Sequence, residues 1–399
     1  RDGALYRVAL DALNAVDAQP QKLDINVPQS TAPMSKEEEA LRERQRSELK
    51  GITSFRLGTG KQLQEPLLFV ACSTRYFVAK RDGSGVRDVI EELKESNPSV
   101  ALDGAWMDVK NAPDDLLTFT FVRNNNLYVA SLNAESPGGT VRAVTTVGDA
   151  VRSCAVADYI MQEEFSLFSG NWWAPATAAA ASPQVLFTVT DVSQQREVSI
   201  LDKNLDVERI PFPRVGDPNA VTSLVVATDC RPDASPEQTR FRMLPVATLR
   251  HWFPWVEYVP RLGWRNAETV YALALSRDQE RSALFEVPVS AMIEVTENGF
   301  FADHAAAAKG VTGIRVLREQ HVPWAWCEVT DDICVRRDGS IVVGAHDADT
   351  EEGKARGAFY QYYRLDTAAA ESDAPKQAWK SYSLGRFGAT FGSLSVADD

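Results

Sequence analysis

Leu116-Leu117-Thr118-Phe119-Thr120-Phe121-Val122-Arg123-Asn124-Asn125-Asn126-Leu127-Tyr128-Val129-Ala130-Ser131-Leu132 decides the fold class. Two runs rich in aromatic and β-branched residues flank three asparagines, a residue type that tolerates the positive φ of a tight turn. The stretch reads as an antiparallel hairpin. The pattern recurs in Pro66 to Cys72 with Arg75 to Lys80, and in Gln184 to Val189 with Glu197 to Leu201. It returns in Thr269 to Leu275 with Ala283 to Val289, and in Ser340 to Ala345 with Ala358 to Leu365. Helical patterns are scarce, Arg87 to Ser96 and Asp303 to Lys309 among them. From about residue 51 the body is therefore all-β. A β-propeller with a few short helical inserts accommodates this many hairpins; a single β-sandwich, the main competitor, does not. Long insertions such as Ala174 to Pro183, Arg231 to Gln238 and His346 to Arg356 are places where such a scaffold carries binding residues.

Ahead of the β-rich body the texture differs. Residues 1–33 hold a short apolar run and a Pro-punctuated polar segment, read as a linker or an incomplete first element. Residues 34–50 read as a helical segment, with Ser35 as N-cap, Glu38 three positions on, and Arg42, Arg44 and Arg46 along it. Apart from Leu41 and Leu49 it offers no apolar face, so it is exposed or ordered only by a partner. The chain starts at Arg1 inside an apparent helical pattern and is expected to be a fragment.

With 44% hydrophobic and 24% charged residues over 399 positions, the composition is that of a globular protein. A net charge of -13 argues against nucleic acid and anionic membrane surfaces as partners, and is compatible with a cationic peptide end. No apolar window is long enough to span a membrane. The five scattered cysteines lack any C-x-x-C pair, which points to free thiols in a reducing compartment and to no zinc site.

Motifs for covalent chemistry are missing: no G-x-S-x-G elbow, P-loop or dinucleotide fingerprint occurs. His251, His304, His321 and His346 show no metal-ligand spacing and read as structural or solvated, so neither metal nor cofactor is expected. Recognition chemistry remains. In Gln162-Glu163-Glu164-Phe165 two adjacent acids lie close to Trp172-Trp173. Neighbouring side chains on a regular helix or strand point in different directions, so a shared target needs an irregular backbone. Such a pair suits a primary ammonium, which has three donors for two carboxylates. A solvated acidic pair is the plain alternative. Trp172 and Trp173 are candidates for a pocket wall, or for ordinary core packing. The arginine row offers a guanidinium to a carboxylate or carbonyl, or is simply solvated.

Together these segments resemble the dipeptidyl peptidase IV family, most of all its cytosolic dipeptidyl peptidase 8/9 branch. Glu37 to Arg46 followed by Gly51-Ile52-Thr53-Ser54-Phe55 is similar to that branch's arginine-bearing segment, and Asn124 to Ala130 to its N-N-x-L-[WY]-V-A hairpin. Val156-Ala157-Asp158-Tyr159 through Gln162-Glu163-Glu164-Phe165 to Gly170-Asn171-Trp172-Trp173-Ala174-Pro175 resembles V-A-x-[FY]-x-x-Q-E-E-F-x-x-x-x-G-x-W-W-x-P. Phe212-Pro213-Arg214-Val215-Gly216 with Asn219, and Val256-Glu257-Tyr258 with Arg261, Gly263 and Trp264, add further matches. Cys327-Glu328-Val329-Thr330-Asp331-Asp332 is recognisable, but the aromatic loop expected after it is shortened to Arg336-Arg337-Asp338-Gly339.

The resemblance spans about residues 35 to 365 and carries definite implications. Residues 51–399 are expected to be a truncated form of the family's eight-bladed propeller, without the α/β-hydrolase domain and its Ser-Asp-His triad. Glu163 and Glu164 are the implied holders of a peptide's free amino terminus, with Arg46 gripping a substrate carbonyl and Arg42 or Arg44 as fallbacks. The intact enzyme is implied to be a cytoplasmic homodimer releasing N-terminal Xaa-Pro or Xaa-Ala dipeptides, with this chain inactive by itself. A non-catalytic propeller scaffold or pseudoenzyme is the competing reading.

Overall fold

A computed structural model describes residues 3–8, 19–25, 43–44, 51–58, 66–72, 75–103, 106–176, 182–201, 206–336, 338–346, 360–365 and 379–381. The expected helical segment 34–50 lies outside the described residues except for Glu43 and Arg44, whose backbone is helical. Two compact units are interleaved along the chain. The first comprises Arg1–Val156, Phe168–Pro183 and Thr228–Thr239; the second comprises Ala157–Leu167, Gln184–Ala227 and Arg240–Asp399.

The first unit is built on two four-stranded antiparallel sheets of consecutive strands. One runs Ile52–Leu57, Leu67–Cys72, Arg75–Lys80 and Arg87–Asp88; the other Met107–Ala112, Asp115–Arg123, Asn126–Leu132 and Gly139–Ala143. The hairpin that fixed the fold class lies in the second of these. Arg123 pairs with Asn126, and Asn124 and Asn125 take φ of 47° and 57°. Positive φ at both central residues is the two-residue turn whose twist matches paired strands. Phe119, Phe121, Leu127 and Val129 are fully buried, and the Trp106 indole stacks on Phe121 with centroids 3.9 Å apart. Each such side chain contributes roughly 1.5–3 kcal/mol of burial. The expected helix appears as Val89–Ser96, two residues later than its pattern suggested, because Arg87 and Asp88 pair with Phe77 and Val78. Asp88 caps it, its carboxylate accepting from the Ile90 and Glu91 N–H groups at 3.0 and 3.2 Å.

The second unit repeats the theme. One sheet runs Val256–Asn266, Thr269–Ser276, Arg281–Pro288 and Arg315–His321; another Ile333–Val335, Ile341–His346, Tyr360–Leu365 and Trp379–Ser381. The fold is all-β and propeller-like, with four-stranded antiparallel sheets recurring beside one six-stranded and two two-stranded sheets, and with short helices such as Val246–Trp252 and Ala305–Ala308 inserted. One expected pairing is corrected. Val185–Asp191 pairs with Val221–Thr228, while Glu197–Leu201 pairs with Val207–Pro211. The reason is burial: Val185 to Thr190 are buried and require a neighbour that is apolar on both faces, as Leu224 to Ala227 are. Glu197–Leu201 is largely exposed and finds its partner in a strand whose Val207 and Arg209 are exposed as well.

Candidate functional site

The double-glutamate stretch occupies the end of a short helix, Tyr159–Glu163, in the second unit. The sequence pattern did not reveal this helix, since five residues are too few to show a period. Asp158 starts it, accepting from the Ile160 and Met161 N–H groups at 2.9 and 3.3 Å. Glu164 closes it in right-handed α conformation, donating its N–H to the Ile160 carbonyl. Ser166 then turns the chain with φ 54°, and the Leu167 N–H returns to the Met161 carbonyl at 2.9 Å.

The four motif residues divide by burial. Gln162 and Phe165 face inward, and Glu163 and Glu164 are exposed. Gln162 Nε2 donates to the Ala157 carbonyl at 2.6 Å. Phe165 packs with Ala157, Met161, Leu275 and Cys327, its ring centroid 5.4 Å from that of Tyr258. The outer pair therefore sits on a rigid base. Both glutamates have right-handed helical backbone, and the left-handed turn comes only at Ser166, so the irregular backbone expected of a shared target does not lie between them. Negative charge at a helix C-terminus is disfavoured by the backbone dipoles, and adjacent carboxylates repel. Glu164 Oε1 accepts from Gln279 Nε2 at 3.3 Å. Among the described residues Glu163 has no ion-pair partner.

A polar network stiffens the wall behind. Asn219 Nδ2 donates to Glu257 Oε1 at 2.8 Å and contacts the Tyr258 hydroxyl at 3.0 Å. Burial pushes the Tyr258 hydroxyl above its ordinary pKa, with the Asn219 contact acting the other way, so it stays protonated. Arg261 ties this strand to the Cys327–Asp332 stretch. Its Nε donates to the Thr330 carbonyl at 2.9 Å, and Nη2 meets Asp331 Oδ1 at 2.6 Å. The shortened loop that follows is a hairpin turn, the Arg336 N–H donating to the Ser340 carbonyl.

Trp172 and Trp173 belong to the first unit, where Lys110 engages both. Its ammonium lies 5.0 Å from the Trp172 ring centroid, and its carbonyl accepts from Trp173 Nε1 at 2.8 Å. Asp108 holds the same stretch, accepting from the Gly170 N–H at 2.8 Å and Asn171 Nδ2 at 2.7 Å. Gly170 is required there, because a Cβ would sit 2.1 Å from the Ala155 carbonyl. Arg44 is half-buried in helical backbone, while Arg42 and Arg46 lie outside the described residues. Sequence reasoning missed Gln279, since a lone glutamine in a turn carries no signal. It also missed Trp324 and Trp326, whose close spacing around Ala325 was the available clue. Among the described residues no group of three or more His, Cys, Asp or Glu is placed to hold a metal ion. None of their helices is long and apolar enough to cross a membrane.

An all-β, propeller-like body of antiparallel sheets is the class of fold that these residues define. Residues 72–351 match the family model of the dipeptidyl peptidase IV (DPP IV) N-terminal region, and the chain belongs to that family. Among curated proteins it is similar to dipeptidyl peptidase 8 of Homo sapiens, 25% identical over 269 residues, covering 64% of this chain and 29% of the human protein. Dipeptidyl peptidase 8 of Mus musculus is 24% identical over 282 residues, covering 66% of this chain and 30% of the mouse protein. The chain thus spans less than a third of the length of these relatives.

Proposed function

We propose that this chain is the substrate-recognition part of a serine-type dipeptidyl peptidase that releases N-terminal Xaa-Pro or Xaa-Ala dipeptides. Glu163 and Glu164 receive the substrate's ammonium. What carries the reading is their placement: two adjacent exposed carboxylates at a helix C-terminus, fixed from beneath by Gln162 and Phe165. A bound ammonium relieves both the mutual repulsion and the unfavourable dipole, and adds charge-assisted hydrogen bonds. Holding the amine sets the register, so that a bond a fixed two residues along reaches the reacting centre. In the intact protein that centre belongs to an α/β-hydrolase domain, where acyl transfer runs through a seryl intermediate. Arg46, or Arg42 or Arg44 in its place, grips the substrate backbone. Residues 51–399 are propeller, and the intact enzyme works as a cytoplasmic homodimer.

Calorimetric titration of this chain with a peptide beginning Ala-Pro, free or N-acetylated, tests the amine site. Acetylation, Glu163→Gln or Glu164→Gln is each expected to weaken binding by about 1.5–3 kcal/mol, roughly tenfold to more than a hundredfold. Equal affinity for free and acetylated peptide overturns the reading. The rival, a non-catalytic scaffold or pseudoenzyme, is supported instead if the reading frame continues intact beyond Asp399 without a G-x-S-x-G elbow.

A further inference from the structure

Trp324 and Trp326 are 96% and 75% exposed, in a protein whose remaining large apolar side chains are mostly buried. Their loop is held in shape. Val322-Pro323-Trp324-Ala325 closes with the Ala325 N–H donating to the Val322 carbonyl at 3.2 Å, and Trp324 takes φ 67°. Proline at the second position and positive φ at the third are the marks of a type II turn, whose third position normally falls to Gly or Asn. A tryptophan there is unfavourable. The Trp324 N–H donates to Glu280 Oε1 at 3.1 Å, and the Val322 N–H to the Glu280 carbonyl at 2.8 Å.

The hairpin turn that carries Glu280 reaches the acidic pair. Gln279, next to Glu280, contacts Glu164 through its amide, and its carbonyl accepts from the Cys327 N–H at 2.7 Å. Cys327 packs in one cluster with Met161 and Phe165 beneath the glutamates. This run of contacts keeps the Trp326 backbone within about 15 Å of the Glu164 carboxylate, at most about four residues of extended peptide. An exposed apolar surface near two exposed carboxylates complements a ligand that is cationic at one end and apolar next to it. A peptide amino terminus with a large first side chain has that form.

We propose that Trp324 and Trp326 are a platform for the first side chain of the bound peptide, giving the site a preference for large apolar residues at that position. The proposal rests on the amine-binding reading and adds a specificity to it. Indole faces gain little from glycine and much from an aromatic or branched side chain. Both tryptophans are exposed, so their replacement leaves the core intact.

The test is titration of this chain with peptides beginning Phe-Pro, Gly-Pro and Arg-Pro, and with N-acetylated Phe-Pro peptide, against W324A, W326A and Glu163→Gln. The tryptophan variants are expected to lose at least tenfold in affinity for the Phe-Pro peptide and less than twofold for Gly-Pro. Glu163→Gln is expected to weaken all three free peptides alike. Unchanged Phe-Pro binding in both tryptophan variants, an equal loss for Gly-Pro, or a loss confined to Arg-Pro overturns the platform while leaving the amine site standing. Phe-Pro affinity that is undiminished by both acetylation and Glu163→Gln, yet still lost in the tryptophan variants, overturns the amine reading, and with it the assignment of the platform to the first residue. A thermal melt of each variant, together with Trp324→Phe, which should keep Phe-Pro affinity, separates the loss of the aromatic surface from misfolding.

Discussion

Gln279 Nε2 lies 3.3 Å from Glu164 Oε1, joining the turn of a hairpin to the end of a helix 115 residues away in sequence. The residue adopts φ 60° to do so. Its side chain faces the acidic pair while its carbonyl holds Cys327, so one turn supports two loops.

Replacing Gln279 by glycine separates these roles. Glycine accepts a left-handed conformation that costs other residues roughly 1–2 kcal/mol, so stability should hold or rise. The carboxylate of Glu164 loses its positioning contact, and affinity for a free-amine peptide should fall by up to about tenfold, the worth of one ordinary hydrogen bond. Denaturant midpoints and peptide titration measure the two effects. A stable variant with unchanged affinity would show that Gln279 does not position Glu164.

In a full-length active enzyme, Glu163→Gln or Glu164→Gln should lower kcat/KM for Xaa-Pro substrates by at least roughly two orders of magnitude, as expected from losing a charged contact worth ~3 kcal/mol. Unchanged kinetics would refute the role of Glu163 and Glu164 in holding the substrate's amine.

Gly263 faces Tyr271 across paired strands, and a Cβ at Gly263 would stand 2.8 Å from the Tyr271 hydroxyl oxygen and 2.9 Å from Cζ. The ring covers the glycine, and Gly263→Ala must displace it. The expected cost is about 1–3 kcal/mol, as for other overpacked sites. The variant Gly263→Ala with Tyr271→Ala should recover part of that loss in a double-mutant cycle.

Tyr271 also gives the protein an alkaline limit. Burial pushes its hydroxyl up to about 12, with Arg261 acting in the opposite direction. The unfolded chain ionises nearer 10, so this contribution to stability is complete below about pH 10 and is lost as pH rises toward the folded value. Urea midpoints measured from pH 9 to 12 should fall, and Tyr271→Phe should flatten the decline. An equally steep fall in the phenylalanine variant would assign it to other groups.

Strand-rich runs and turn residues made the hairpins legible, because alternation and positive-φ residues are local properties. The Asn124-Asn125 turn follows from three asparagines between two apolar runs. The partner of Val185–Asp191 was not legible. Choosing between Glu197–Leu201 and Val221–Thr228 depends on which surface is buried on both faces, and that is a property of the assembled sheet. The helix Tyr159–Glu163 escaped for a different reason: five residues owe their helicity to the Asp158 cap and to Phe165 packing rather than to a period.

By itself the sequence determined the all-β class, the family, and the identity of Glu163 and Glu164 as an acidic pair worth explaining. Those follow from residue types and short-range spacing. Tertiary structure alone decided that both glutamates are exposed while Gln162 and Phe165 are buried, and that Gln279, Trp324 and Trp326 belong to the same neighbourhood. These residues come together because the second unit buries Phe165, Leu275 and Cys327 in one cluster, and the loops above that cluster are carried to one place by the packing beneath them.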